Sequence, residues 1–150
     1  MEEGTRPATA ADLAQARSEH GVLAGLLRRH QEALLSSEFT GALGELEEFA
    51  RRLRRHIRLE EEVLFPACAA LGAPARGGAT QAFIAEHAAV LARLDEVLGA
   101  ARGLSPGSAS RAAVRSILER EGRLDALLAR HERREERTLF ARLAAALGVR

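Results

Sequence analysis

Two segments of the chain place a histidine and a glutamate four residues apart in the same pattern. His56 and Glu60 begin the first segment. His131 and Glu135 begin the second, 75 residues later, and both segments read H-x-x-x-E-E-x-x-L-F. Residues four apart share one face of a helix, with Cβ atoms about 6 Å from each other. Each segment therefore aims an imidazole and a carboxylate at one point, which is the arrangement that a metal ion requires.

Two further histidines occupy a second repeated pair. His20 follows Glu19, His87 follows Glu86, and an apolar helical stretch comes after each pair. An internal repeat of this kind predicts two equivalent halves, which we expect to be related by a pseudo-twofold axis. Four of the five histidines of the chain thus fall at repeated positions.

Composition favours a single all-helical domain over residues 1–150, because helix formers dominate and tyrosine and tryptophan are absent. The net charge is only +1, and arginine is interleaved with glutamate, which argues against nucleic-acid binding. The single cysteine excludes an internal disulfide. No apolar segment reaches membrane-spanning length and the start has no apolar signal region, so we expect a cytoplasmic protein. The use of arginine for every basic residue is typical of a GC-rich bacterial source.

Chain breakers divide the sequence into four helical stretches, at about 9–36, 40–71, 80–102 and 108–147. Each stretch has an apolar seam with spacings of three and four, and the repeated histidines and glutamates fall inside the seams. Four amphipathic helices joined by short loops predict an up-down-up-down four-helix bundle. Every helix then offers one histidine to the core.

The helix ends are predicted from capping residues and prolines. We expect Thr9 or Asp12 to cap the first helix, and Thr80 to cap the third after a glycine-rich loop at 72–78. The second helix has Pro66 where the fourth has Ala141, and proline ends or kinks a helix. The fourth helix is therefore expected to run unbroken towards Leu147.

The ligand types indicate which metal the site would take. A lone core histidine is usually a neutral, hydrogen-bonded side chain, but two carboxylates and four imidazoles in one interior are costly without a metal. Nitrogen and oxygen ligands without thiolate suit iron, manganese or zinc better than calcium or magnesium. Six ligands exceed one tetrahedral zinc site and favour two iron ions bridged by Glu60 and Glu135. Zinc, manganese or a mononuclear site are lesser options, and a metal-free His-Glu network is the structural alternative.

These residues resemble the ligand frame of the hemerythrin-like, or HHE cation-binding, domain family. The resemblance rests on His20, the motif H-x-x-x-E-E-x-x-L-F-P that begins at His56, the Glu86-His87 pair and the second motif at His131, and it covers nearly the whole chain. It implies a four-helix bundle with a non-haem di-iron centre bridged by carboxylates and an oxo or hydroxo group. The implied metal ligands are His20, His56, Glu60, His87, His131 and Glu135.

The chain differs from the oxygen-carrying hemerythrins in two places. Those proteins have H-x-x-x-H on the third helix, whereas here Phe83 stands four residues before His87 and Leu91 four residues after it, so one iron would lack an imidazole. They also have H-x-x-x-x-D on the last helix, where helix geometry favours Glu135, about 40° from His131, over Glu136, about 140° away. The first difference argues against simple oxygen carriage and favours redox chemistry or sensing.

Several conspicuous residues receive no ligand role. We expect His30 to be partly exposed, Glu121 to lie at an edge or in a salt bridge, and Cys68 to be a small buried hydrophobe. Four apolar side chains are expected near the ligands, where they would exclude water: Phe49, Leu53, Phe83 and Leu94.

The leading functional hypothesis is a di-iron protein that binds or reacts with oxygen, peroxide or nitric oxide, with a redox or protein partner. No catalytic residue is assigned, because only Glu61 and Glu136 offer themselves as proton donors. The first alternative is an iron- or oxygen-responsive sensing or storage module that acts through a protein partner. The second is a metal-free structural helical adaptor.

Overall fold

The computed structural model describes residues 5–72 and 79–150. Within them the protein has four long helical segments and no β-strand, which confirms the all-helical class. Helix α1 is Ala10–Leu35, and α3 is Thr80–Arg102. Helix α2 consists of Phe39–Leu59, a π-helical turn at Glu60–Leu64 and a final part at Phe65–Ala69. Helix α4 consists of Arg111–Glu135, a π-helical turn at Glu136–Phe140 and a final part at Ala141–Leu147.

The four helices pack side by side as a helical bundle. Helix α1 packs against α2 and α4, α3 packs against the same two helices, and the final part of α2 also contacts the final part of α4. None of the described helices is both long enough and apolar enough to cross a membrane. Residues 1–4 of the predicted start and residues 73–78 of the predicted loop lie outside the described part of the chain.

Helix α4 continues to Leu147 as predicted, but both α2 and α4 contain a π-helical turn that the sequence did not reveal. Each turn begins at or directly after the glutamate of the repeated motif, at Glu60 in α2 and at Glu136 in α4. In α2 the backbone N–H of Phe65 bonds the carbonyl of Glu60, five residues earlier. Pro66 is therefore not required for the π-helical turn, because α4 has the same turn and no proline there. Such π turns are rare and are frequent at functional sites.

The beginning of α1 is fixed by a reciprocal capping box. The Thr9 side chain accepts a hydrogen bond from the Asp12 backbone N–H at 3.2 Å, and the Thr9 N–H donates to the Asp12 carboxylate at 2.9 Å. Both predicted caps thus act together. The predicted cap of α3 is wrong, because Ala79 occupies the N-cap position and no side chain bonds there.

Replacing Thr9 with alanine is expected to lower the free energy of unfolding by about 1 kcal/mol, since an orphaned N–H at the start of α1 loses its acceptor. Urea unfolding of the purified variants measures this. Thr80→Ala is the matched control and should change stability by less than about 0.5 kcal/mol. An equal loss in both variants would contradict the assignment of the cap.

Two apolar clusters fill the bundle interior. The larger cluster contains buried residues from all four helices, among them Leu27, Leu53, Leu94 and Leu124. The smaller cluster gathers around Phe65, Phe83 and Phe140. Along each helix the repeated histidines fall between members of the two clusters, so their side chains mark the boundary between the two parts of the core.

Candidate metal centre

All six predicted site residues meet in the bundle interior, although they come from four helices. Their potential ligand atoms form two overlapping groups, each with its atoms within 4.8 Å of one another. The first group is His20, His56, Glu60 and Glu135, and the second is Glu60, His87, His131 and Glu135. The two carboxylates therefore belong to both groups, and each group adds two histidines of its own.

The carboxylates are arranged so that their two oxygens face different groups. In Glu60, Oε1 contacts His56 Nε2, and Oε2 lies 2.9 Å from His87 Nε2. In Glu135, Oε1 lies 3.6 Å from His20 Nε2, and Oε2 lies 3.3 Å from His131 Nε2. Each glutamate thus spans both groups, with one oxygen towards each.

The ring nitrogens of the second group converge on one point. His87 Nε2 and His131 Nε2 are 3.1 Å apart. Two imidazole nitrogens that each bind one ion at about 2.1 Å lie about 3 Å apart when their bonds meet at right angles. The spacing of this pair therefore suits a shared metal ion.

The cluster leaves several buried polar atoms without hydrogen-bond partners. These are both oxygens of Glu60, both oxygens of Glu135 and Nε2 of His20. Histidine nitrogens lie close to the oxygens of both glutamates, but no aligned hydrogen bond joins them, and the charge of a fully buried carboxylate costs several kcal/mol when it is poorly compensated. Native proteins satisfy almost all such groups. Together with the nitrogen and oxygen donor set, these orphaned atoms fit metal cations.

The electrostatics of the cluster favour an ionised Glu60 and protonated histidines. Burial acts to raise the pKa of Glu60, but the opposite effect of His56 and His87 is larger, so that its pKa lies below the usual range. Burial acts to lower the pKa of His131, but Glu135 and Glu86 raise it to about 9. The pKa values of His20 and His87 are likewise raised, because neighbouring carboxylates outweigh burial. Imidazoles must lose these protons when a metal binds.

Two carboxylates outside the cluster orient histidines within it. His87 Nδ1 donates to Glu61 Oε1 at 2.8 Å, and His131 Nδ1 donates to Glu86 Oε2 at 2.6 Å. Arg134 also contacts Glu86 and, with His131, lowers the pKa of that carboxyl against the effect of burial. Donation from Nδ1 leaves the Nε2 lone pair directed into the cluster. The sequence contains these partners beside the ligands, but their role was not predicted.

Aromatic rings enclose the cluster on the side of the smaller apolar cluster. Phe65 stacks on His87 with centroids 5.4 Å apart, and Phe140 stacks on His20 at 6.1 Å. Phe83 meets His131 edge-on at 5.4 Å, as expected of a residue near the ligands. Phe65 and Phe140 are the last residues of the two repeated motifs. The π-helical turns place each ring on the same side of its helix as the buried glutamate. The other predicted neighbours are buried in the larger cluster, namely Phe49, Leu53 and Leu94.

The predicted exposure of His30 is wrong, because His30 and Glu121 form a fully buried pair within the larger apolar cluster. His30 Nδ1 donates to the carbonyl of Ala42 at 2.6 Å, and Nε2 contacts Glu121. The position of His30 on α1 looked peripheral from its helix angle alone. The facing helix α4 covers it.

Glu136, the alternative to Glu135, points away from the cluster. Its side chain is 47% exposed and pairs with Arg17, whereas that of Glu135 is fully buried. Glu132, beside His131, is a further carboxyl near the cluster, and burial raises its pKa. Glu132 could not be found from the repeat, because the other copy of the motif has Ile57 at the corresponding position.

Cys68 is buried and donates to the carbonyl of Leu139 at 3.6 Å. Burial raises the pKa of its thiol to about 11. Only the thiolate is nucleophilic, so alkylation of the folded protein by iodoacetamide at pH 8 should be at least about 100-fold slower than that of an ordinary exposed thiol. Mass spectrometry of the time course measures this, with urea-unfolded protein as the control. Equal rates in both states would contradict the burial of Cys68.

Fold and site together define a helical bundle with a buried histidine-glutamate cluster that could hold metal ions. Residues 1–68 match the family model of the hemerythrin HHE cation binding domain, so the resemblance predicted from the sequence is confirmed over α1 and nearly all of α2. The remainder of the chain lies outside this match and carries the second copy of the internal repeat. No curated protein and no solved structure matches the chain.

Proposed function

We propose that the protein binds two metal ions in this cluster, with Glu60 and Glu135 as bridging ligands. The observation that carries the proposal is the division of each carboxylate between the two histidine pairs, one oxygen towards each pair. His20 and His56 would be the terminal ligands of one ion, and His87 and His131 those of the other. The match to a cation-binding family supports the same assignment.

Iron is the metal that we propose, with zinc or manganese as lesser candidates. Each position offers two imidazole nitrogens and two carboxylate oxygens, and no thiolate takes part. Four protein ligands at each position would leave room for a small exogenous ligand on the metal. A di-iron centre supplies binding and redox chemistry towards oxygen, peroxide or nitric oxide. We assign no catalytic residue.

The surrounding residues prepare the site for such a ligand. The rings of Phe65, Phe83 and Phe140 exclude water from one side of the cluster. Phe83 lies at 0% exposure against His131, at one of the two positions four residues from His87 where an additional histidine would complete the H-x-x-x-H of the oxygen-carrying hemerythrins. Phe83 thus places an apolar ring, instead of a ligand, beside the metal position of His87 and His131. It favours redox chemistry or sensing over reversible carriage of oxygen.

The remaining features of the proposal concern the chain as a whole. We propose a single domain with up-down-up-down connectivity, since four long helices are joined by short segments. A cytoplasmic location and a redox or protein partner belong to the same proposal. The balanced charge gives no support to nucleic-acid binding.

Metal analysis with an optical spectrum tests the proposal. Protein purified from iron-supplemented cells should contain about two iron ions per chain and show near-ultraviolet bands that change when azide or peroxide is added. Chemical removal of the iron should remove the bands. Protein with no iron, or with one zinc ion per chain after the same purification, would contradict the di-iron assignment.

A sensing or storage role is the second candidate, and the orphaned carboxylate oxygens favour it. Metal that binds only the folded state stabilises it, by about 2.7 kcal/mol when the free ion is at 100 times its dissociation constant. Because bound cations would compensate the buried carboxylates more fully than the histidines do, occupancy would change the stability of the bundle. A large rise in melting temperature on metal loading, without peroxide turnover, would favour this role. The same oxygens argue against a metal-free adaptor.

A further inference from the structure

The two proposed metal positions, one at His87 and His131 and one at His20 and His56, differ in the hydrogen bonds that the Nδ1 atoms of their histidines form. In one half, Glu61 accepts from His87 Nδ1 and Glu86 accepts from His131 Nδ1, at 2.8 and 2.6 Å. In the other half, His56 Nδ1 is buried without a hydrogen-bond partner. Among the described residues, no carboxylate bonds the Nδ1 atom of His20 either, and the side chain of His20 is 17% exposed.

The His20 and His56 position also has two corresponding carboxylates, but arginines bind them. The repeat makes Glu136 the counterpart of Glu61 and Glu19 the counterpart of Glu86. Arg17 binds Glu136 at 2.8 Å. Arg52 binds Glu19 through two contacts of 2.6 and 3.0 Å.

The sequence explains why Glu61 and Glu86 are free to accept hydrogen bonds from His87 and His131. The repeat places Ile84 at the position of Arg17 and Leu127 at the position of Arg52. Neither apolar side chain competes for a carboxylate. Arg134 does contact Glu86, but it reaches the other oxygen, so Oε2 still accepts from His131.

A carboxylate on Nδ1 changes what the imidazole offers to a metal. It holds the tautomer with the proton on Nδ1, fixes the ring and raises the basicity of Nε2. Loss of such an outer partner typically weakens metal binding 10- to 100-fold. The half with both partners should therefore bind an ion more tightly than the half with neither.

We propose that the two metal positions are unequal, and that an ion fills the His87 and His131 position first and most tightly because Glu61 and Glu86 orient those ligands. The His20 and His56 position fills second, at least about 10-fold more weakly. This inference rests on the proposed dinuclear site. Glu61 and Glu86 are positioning residues, since they act through the histidines.

Titration of metal-free protein with Co²⁺, followed by its visible spectrum and by calorimetry, tests the order of filling. We expect two binding events, of which His87→Ala removes the tighter and His20→Ala the weaker. Glu61→Gln and Glu86→Gln should each weaken the tighter event about 10-fold or more, and shift the spectrum of the first cobalt equivalent. A general loss of packing would not affect one event selectively.

The chain provides a matched control for each variant. Glu136→Gln and Glu19→Gln change the corresponding carboxylates, and should leave the tighter event within about threefold of the parent value. Arg17→Ile and Arg52→Leu introduce the apolar residues that the repeat has at Ile84 and Leu127. Together they should strengthen the weaker binding event, because Glu136 and Glu19 become free to accept hydrogen bonds from the histidines.

The outcomes separate this inference from the proposed function. Two bound ions with equal affinities, or equal effects of the Glu61 and Glu136 variants, would overturn the inequality and leave the dinuclear site intact. Failure of the parent protein to bind a second ion would instead overturn the dinuclear site, and the inference with it.

Discussion

Replacing Glu60 with glutamine should remove both of the proposed metal ions from the protein, and not only one. Glu60 directs one oxygen to the His56 side and the other to the His87 side, so each ion loses a charged ligand. The amide keeps the shape of the side chain but brings no negative charge to balance the cations. We expect both affinities to fall by more than about 100-fold, beyond the usual effect of losing an outer partner.

Metal content after iron loading measures this effect. Glu62→Gln is the matched control, because Glu62 lies in the same π-helical turn but is exposed, and its variant should keep about two ions per chain. His20→Ala gives the contrast between bridging and terminal ligands, since it should lose only the ion on its own side. A Glu60→Gln protein that keeps one tightly bound ion would show that Glu60 is a terminal ligand.

Breaking the buried pair between His30 and Glu121 should cause the largest loss of stability in the protein. Both side chains are fully buried, and the contact between them provides the only charged partner of either among the described residues. Removing one member leaves the other uncompensated in an apolar core, which costs about 3–5 kcal/mol. His30→Val and Glu121→Leu should each lower the free energy of unfolding by this amount in urea titrations.

The double variant should recover most of that loss. The repeat places Val97 and Leu46 at the positions of His30 and Glu121, and both are buried in the same apolar cluster. Replacing a buried ion pair with well-packed apolar residues is often neutral or stabilising. We expect His30→Val/Glu121→Leu to lie within about 2 kcal/mol of the parent protein. Additive losses in the double variant would contradict the pairing.

The same pair predicts a pH dependence of stability. Burial acts to lower the pKa of His30, but Glu121 raises it above its usual range. A raised pKa in the folded state stabilises the protein at pH values below the unfolded pKa of about 6.5, and this contribution is lost as the pH rises through the folded pKa. The difference in unfolding free energy between the parent and the double variant should therefore shift against the parent as the pH rises from 6 to 9. A constant difference would contradict this assignment.

The helical class and the placement of the repeated residues could be read from the sequence because both are local properties. The i, i+4 spacing puts His56 beside Glu60 on one helix face, and His131 beside Glu135, whatever the helices pack against. The same geometry separated Glu135 from Glu136, and the structure places Glu135 in the cluster and Glu136 against Arg17.

Apart from the cap of α3, which is a local error, the differences between prediction and structure arose where the outcome depends on a second helix. His30 was expected to be partly exposed because its angle on α1 was compared only with His20, whereas Glu121 of α4 covers it. The unbroken fourth helix was inferred from the absence of proline at Ala141. The π-helical turn at Glu136–Phe140 instead accompanies the stacking of Phe140 on His20, a contact between α4 and α1.

The sequence by itself determined that the protein is helical and which six side chains share the interior, since hydrophobic period and residue spacing act within single helices. Only the tertiary structure decided which oxygen of each glutamate faces which histidine. It also decided that Arg17 and Arg52 hold two carboxylates which, in the other half, orient ligands. Charged groups choose among several partners by distance, and the packing of helices far apart in sequence sets those distances.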